Sequence, residues 1–258
     1  MFTSPFDVKS SIEIPEKAKF VFVADMFITD YVGGAELTSQ ALIDSCPESI
    51  FSMRAKDLTL ETLESGHDKY WIFGNCSSMN MELIPTIVAN MEYSVLEYDY
   101  KFCRYRSVEK HYVAEKEECN CHNEMHGKMI SAFYYGAKSL WWMSEAQQNL
   151  YFDRFPFLRE KQNTVLSSVF DEEFFQNIAV LRSENKDVDR EGWIVLGSTS
   201  WIKGADAAEK WCQENGKDYE VVWNLPYKEV LEKLSKAEGF VYLPEGGDTC
   251  PRMVIEAK

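Results

Sequence analysis

Lys19-Phe20-Val21-Phe22-Val23-Ala24-Asp25 is followed, after a loop, by Gly33-Gly34-Ala35-Glu36 and then by the apolar residues Leu37, Ala41 and Leu42. An unbroken apolar run of this length is the pattern of a strand covered on both faces in a parallel sheet. The glycine pair marks a turn, and the four-residue step from Leu37 to Ala41 marks one face of a helix. Strand, glycine turn and helix in this order predict an α/β protein.

The alternation continues on the C-terminal side. Strands are expected at Ser49–Ser52, Tyr70–Phe73, Tyr93–Leu96, Ser139–Met143 and Thr164–Leu166, and helices at Thr59–Ser65, Met81–Met91 and Ser144–Phe152. From about Gln176 the sequence turns polar, with Arg182-Ser183-Glu184-Asn185-Lys186-Asp187 at its centre, and a second α/β cycle opens at Trp193-Ile194-Val195-Leu196-Gly197. The expected layout is a first domain over 1–176, a linker over 177–192 and a second domain over 193–258. In the second domain Ala205–Glu214 and Tyr227–Ala237 read as helices and Glu220–Trp223 and Phe240–Leu243 as strands. That stretch is short for a whole doubly wound domain, so the second domain is expected to be incomplete.

Composition narrows the function classes. Apolar residues make up 45% of the 258 and aromatic residues 14%, enough to build packed cores. Asp and Glu number 42 against 27 Lys and Arg, a net charge of -15, which argues against a nucleic-acid partner. No apolar run approaches the roughly 20 residues of a membrane span. Met1-Phe2-Thr3-Ser4-Pro5 leads into polar sequence and not into an apolar leader, so a cytoplasmic location is expected. The seven cysteines are scattered and odd in number, and reduced thiols are the expectation.

Chemistry gathers in Tyr242-Leu243-Pro244-Glu245-Gly246-Gly247-Asp248-Thr249-Cys250-Pro251-Arg252-Met253-Val254-Ile255-Glu256-Ala257. A strand ends at Leu243, the glycine pair turns the chain, Asp248 or Thr249 can cap a helix, and Pro251 suits a first helical turn. Free N–H groups at such a terminus suit a diphosphate, and Arg252 and Glu256 lie on one helix face. Arg252 can then meet phosphate while Glu256 accepts from a ribose diol. The alternative is an ordinary capped helix with an Arg/Glu surface pair.

This stretch resembles the retaining GT-B glycosyltransferases of the family 4, or group 1, type, whose C-terminal motif places two acidic residues eight positions apart, as Asp248 and Glu256 stand here. Val195-Leu196-Gly197-Ser198-Thr199-Ser200-Trp201-Ile202-Lys203-Gly204 is similar to the strand that opens the family's donor domain and ends in Lys-Gly, and Gly33-Gly34-Ala35-Glu36 to its N-terminal glycine loop. Leu166 to Phe174 falls between them in the family's order. Asp248 stands where the family usually has Glu, and Ser198 or Thr199 where it often has Arg.

The resemblance implies the GT-B fold: two doubly wound, Rossmann-like domains facing a cleft. It implies hexosyl transfer from a nucleotide diphosphate-sugar co-substrate to a hydroxyl of a carbohydrate, lipid-linked or protein acceptor, with retention. Donor contacts would come from Gly33, Gly34, Lys203, Asp248, Thr249, Cys250, Arg252 and Glu256, with Lys203 neutralising the leaving diphosphate. Asp99, or Glu97, in Val95-Leu96-Glu97-Tyr98-Asp99-Tyr100 stands where many relatives carry an acceptor-facing histidine; with Lys203 and Asp248, Asp99 completes the catalytic set. No cofactor or metal is required by this reading. A nucleotide-sugar epimerase and a non-catalytic sugar-nucleotide-binding or scaffold protein are the alternatives.

One cluster stands apart. Cys119-Asn120-Cys121-His122-Asn123-Glu124-Met125-His126, with Cys103 and His111 upstream, is dense in soft ligands but matches no paired Cys-x2-Cys framework, and reduced thiols in a polar loop are expected in preference to a metal. Trp141-Trp142-Met143 is expected to be core.

Overall fold

A computed structural model describes residues 12–258; Met1 to Pro5, read above for the lack of an apolar leader, lie outside the described residues. Six strands form one parallel sheet: β1 (Phe20–Ala24), β2 (Ile50–Arg54), β3 (Tyr70–Phe73), β4 (Glu92–Glu97), β5 (Ser139–Trp142) and β6 (Gln162–Val165), in spatial order β2-β1-β3-β4-β5-β6. Three more form a second parallel sheet, β7 (Trp193–Leu196), β8 (Tyr219–Val222) and β9 (Gly239–Val241), in order β8-β7-β9. The α/β reading holds, and the arrangement is Rossmann-like in general kind.

The strand β1 is apolar throughout because it is covered on both faces. Val21 and Val23 join the core on one side of the sheet, while Phe22 and Ala24 join that on the other. The larger core is built on rings: Phe73 meets Tyr93 and Phe133 edge-on at 5.7 and 5.2 Å, and Trp142 packs on Tyr151 at 4.9 Å. Trp142 is therefore core, as expected. The second sheet repeats the scheme on a smaller scale, with Val195 and Val241 packed on one face and Ile194 and Val222 on the other.

The helices of the first part are α1 (Gly34–Ser45), α2 (Leu60–Ser65), α3 (Ile84–Asn90), α4 (Val108–Glu115), α5 (Met125–Gly136) and α6 (Glu145–Arg154). Thr59 caps α2 by accepting from the Thr62 N–H, and Ser144 caps α6 by accepting from Gln147. The expected helix over Met81–Met91 is a 3-10 turn, Met81–Leu83, running into α3, with Pro85 in its first turn. Two helices, α4 and α5, were not anticipated, although Met129, Ile130, Phe133 and Tyr134 carry a helical spacing.

The expected linker over 177–192 is helical in its first half. Helix α7 spans Glu172–Glu184, across residue 176: Asp171 caps it by accepting from the Phe174 N–H at 2.7 Å, and Phe174, Ile178 and Leu181 recur at helical spacing. Its charged end misled the composition reading. Helices α8 (Ala205–Glu214) and α9 (Tyr227–Lys236) fall where expected, and α10 is a single turn, Arg252–Glu256.

In both sheets the strand order reverses once, between β1 and β3 and between β7 and β9. Such switch points open crevices beyond the strand carboxyl ends, where ligands of open α/β sheets bind.

Candidate active site

The loops beyond both switch points line one cleft of about 880 Å3. From the first sheet come Gly33 and Gly34 after β1, Asn75 after β3 and Asp99 after β4; from the second come Ser198, Thr199 and Lys203 after β7, Asn224 and Tyr227 after β8, and Tyr242, Asp248, Arg252 and Glu256 around β9. All the residues singled out for donor contact by sequence, Thr249 and Cys250 included, lie on its walls.

Their individual surroundings differ. Lys203 Nζ donates to Asp248 Oδ2 at 2.5 Å, and the Tyr242 hydroxyl donates to the same oxygen. The Lys203 side chain keeps 32% of its surface. The Lys-Gly pair has a steric cause: Gly204 has φ +61°, and a Cβ there would lie 1.8 Å from the Leu243 carbonyl oxygen. Only glycine lets the loop after β7 lie against the end of β9, which sets Lys203 beside Asp248.

Arg252 and Glu256 form an i,i+4 pair, with Nε to Oε1 at 2.7 Å, and both side chains are almost wholly buried. This corrects the surface-pair alternative. Arg252 Nη1 donates to the Val169 carbonyl at 2.6 Å, and its guanidinium lies 4.0 Å from the centre of the Phe170 ring. The Tyr227 hydroxyl donates to Glu256 Oε1 at 2.6 Å. Arg252 thus ties the second sheet to the segment after β6. Thr249 Oγ1 donates to the Tyr98 carbonyl at 2.5 Å, and Cys250 Sγ sits 3.0 Å from Ser168 Oγ, so the same loop also rests on the first sheet's end. Because α10 is one turn long, with no side-chain cap, its dipole is a weak anion site. The stronger helix start facing the cleft is that of α1, twelve residues long, whose N-cap Gly33 offers no side chain to its first N–H groups, although the Glu36 carboxylate in its first turn accepts from its own N–H.

At the first sheet's end, sequence reasoning missed a polar network. Arg106 pairs with Asp99 Oδ2, donates to the Asn75 side chain, and donates to Ser77 Oγ at 2.5 Å. Arg106 has φ +56°, a conformation with no signature in its sequence neighbourhood. Asp25 accepts from the N–H and hydroxyl of both Ser77 and Ser78. Burial works to raise the Asp25 pKa, but these four hydrogen bonds together hold it below the usual carboxylate range. Asp99 Oδ1 is buried and, among the described residues, has no hydrogen-bond partner.

Glu97, the alternative to Asp99, is 1% exposed and does not line the cleft. It accepts from Lys101 Nζ at 2.9 Å and from the Tyr134 hydroxyl beneath the site. Burial pushes its pKa up, against the pull of the Lys101 ammonium. Glu36, in the first turn of α1, is also raised, by burial, against the hydrogen bond it accepts from its own backbone N–H and with a smaller push from the charge of Asp25.

The soft-ligand cluster comes together in part. Cys103, His111, Cys119 and Cys121 have their ligand atoms within 4.8 Å of one another, all buried. His122 and His126 are outside it: His126 Nε2 lies 2.7 Å from the Lys101 carbonyl oxygen, and His122 Nε2 3.1 Å from the Asn123 amide. Among the described residues no helix is long and apolar enough to cross a membrane. Compared with known proteins, the sequence matches no family model and no curated protein.

Proposed function

We propose that the chain is a glycosyltransferase of GT-B type, moving a hexosyl group from a nucleotide diphosphate-sugar to a hydroxyl acceptor, with retention. The observation that carries this reading is the single cleft onto which both switch points open, with the cation Lys203, the start of α1 and the Asp99 side chain on its walls.

In this reading the diphosphate lies between Lys203 and the start of α1. Asp248 holds Lys203 in place, which lowers the cost of ordering a flexible lysine around phosphate. As the sugar–phosphate bond breaks, its electron pair passes to the diphosphate oxygen, where the Lys203 ammonium and the first N–H groups of α1 offset the growing charge. The acceptor hydroxyl is oriented by the carboxylate of Asp99, which lines the cleft and which Arg106 holds in place through Oδ2. Tyr227, whose hydroxyl is held by Glu256 at the second sheet's wall, lines the cleft on the nucleoside side.

The test is calorimetric titration of UDP, GDP and ADP, and then of their sugar conjugates, into the chain. One nucleotide should bind saturably, and Lys203→Ala should weaken it by about 10- to 100-fold, the range for losing a charge-assisted contact of roughly 1.5–3 kcal/mol. Binding of none of the three would overturn the reading. Donor conversion without acceptor would move it to an epimerase, and binding without turnover to a non-catalytic sugar-nucleotide-binding protein.

A further inference from the structure

We infer that Cys103, His111, Cys119 and Cys121 form a structural zinc site that fastens the long excursion between β4 and α5. The four ligand atoms come from one segment: a loop after β4, helix α4, and the turn that precedes α5.

Geometry is the first argument. In a tetrahedral site with Zn–S near 2.3 Å and Zn–N near 2.0–2.1 Å, sulfur and nitrogen stand about 3.6 Å apart. His111 Nδ1 lies 3.5 Å from Cys121 Sγ and 3.8 Å from Cys103 Sγ, and no pair among the four ligand atoms exceeds 4.8 Å. Three thiolates and one imidazole are a donor set that structural zinc takes, with no position left open for water. Cys103 Sγ also lies 3.4 Å from the Ser107 carbonyl oxygen.

The second argument is independent of the sulfurs. Helix α4 has eight residues, and His111 is the only one that is fully buried; Tyr112 and Val113 are 57% and 48% exposed. A helix this short is marginal without tertiary packing, and α4 has almost no apolar face to pack. Its anchor is therefore the imidazole at the cluster, and a metal–ligand bond holds a helix where apolar burial does not.

A third observation concerns the turn. A Cβ on Gly127 would stand 2.2 Å from the Cys121 carbonyl oxygen and 2.6 Å from the His122 Cα. The start of α5 is pressed onto the turn carrying Cys121, so the last ligand is fixed by a close backbone approach that a side chain would break. The excursion so fastened carries Arg106 to Asp99 and brings Glu109 up to the glycine pair of the second sheet, where a Cβ on Gly247 would lie 3.1 Å from Glu109 Oε1.

Metal content by mass spectrometry of the whole chain, purified without added metal, tests this directly. About one zinc per chain and no iron is expected, with loss of most of it in Cys121→Ser and full retention in Cys46→Ser, which lies outside the cluster. Since Cys121→Ser can fail to fold, a second measurement uses the wild-type chain: after stripping with chelator, Co2+ should restore an intense visible absorption of tetrahedral thiolate cobalt at about one equivalent. Amide exchange in 103–123 should speed up at least about tenfold on stripping while the strands of the first sheet stay protected. Iron in place of zinc, a disulfide within the cluster, or a metal-free chain with no cobalt spectrum and unchanged exchange would each overturn the inference. None of these readouts depends on nucleotide binding.

Discussion

Two of the cation–carboxylate pairs around the second sheet, Arg252–Glu256 and Lys203–Asp248, lie within one loop's reach of each other, and they are unlike. Arg252–Glu256 is sealed between the sheets, with both side chains at most 6% exposed. Lys203–Asp248 faces the cleft, with the lysine at 32%. In the first pair every donor direction used has a protein partner: Glu256, Val169 and Thr38 around Arg252, and Tyr227 on Glu256. In the second, the lysine has one partner and open space beside it. A motif can therefore supply the right residue types at the right spacing and divide them between two tasks, joining the sheets and meeting the ligand.

The largest effect should come from the sealed pair. Glu256→Ala leaves a buried guanidinium with its carboxylate partner removed, a change that costs about 3–5 kcal/mol in buried pairs. Urea unfolding should show the unfolding free energy falling by that much, with nucleotide affinity moving in parallel because the cleft wall loosens. A stability within about 0.5 kcal/mol of wild type would mean that Arg252 is held by Val169 and Phe170 alone, and would erase the contrast between the pairs.

Next in size is the open pair. Lys203→Ala should lose about 10- to 100-fold in nucleotide binding while its unfolding free energy falls by no more than about 1 kcal/mol, since the lysine is partly exposed and Asp248 keeps the Tyr242 hydroxyl as a donor. An equal loss of stability in the two variants would show that Lys203 also belongs to the seam. Asp99→Asn sharpens the same division on the other wall. It should leave nucleotide affinity unchanged and reduce turnover by about 100-fold or more, as expected for loss of a positioned carboxylate.

These contrasts explain which parts of the molecule were legible in the sequence. Strand β1 could be read because burial on both faces makes every residue from Phe20 to Ala24 apolar, a local signal. Gly204 could be read as a special residue, but its reason, the Leu243 carbonyl 1.8 Å from where a Cβ would be, lies 39 positions on. The four-residue step from Arg252 to Glu256 was visible; that both point inward is decided by Val169 and Phe170, which no spacing connects to them. Arg106 was missed because it reaches the cleft by a left-handed backbone in an unmarked loop. The Cys/His cluster has no paired spacing to read, because its ligands come from two turns and from α4, a helix with almost no apolar face.

The smallest effect concerns Glu36, whose glycine loop borders the same cleft. Burial, with a smaller push from the charge of Asp25, raises its pKa in the folded chain. For a carboxylate raised on folding, the unfolded state ionises first. The fold is therefore unpenalised below the unfolded value near 4.3 and loses stability as pH climbs from there through the folded value. Above that window the cost is constant. Glu36→Gln removes the titration, so its melting temperature should exceed wild type by a few degrees at pH 7–8 and converge on it near pH 4. Asp25 has the opposite sign: its depressed pKa adds stability above the usual carboxylate value that is lost as pH falls through the folded one. Over the acid range the two carboxylates pull apart, and a Glu36→Gln variant should show the Asp25 loss uncovered, as a steeper fall in melting temperature with acid than wild type shows. If the two curves stay parallel, Glu36 is solvated in the folded chain and the glycine loop is more open than its geometry indicates.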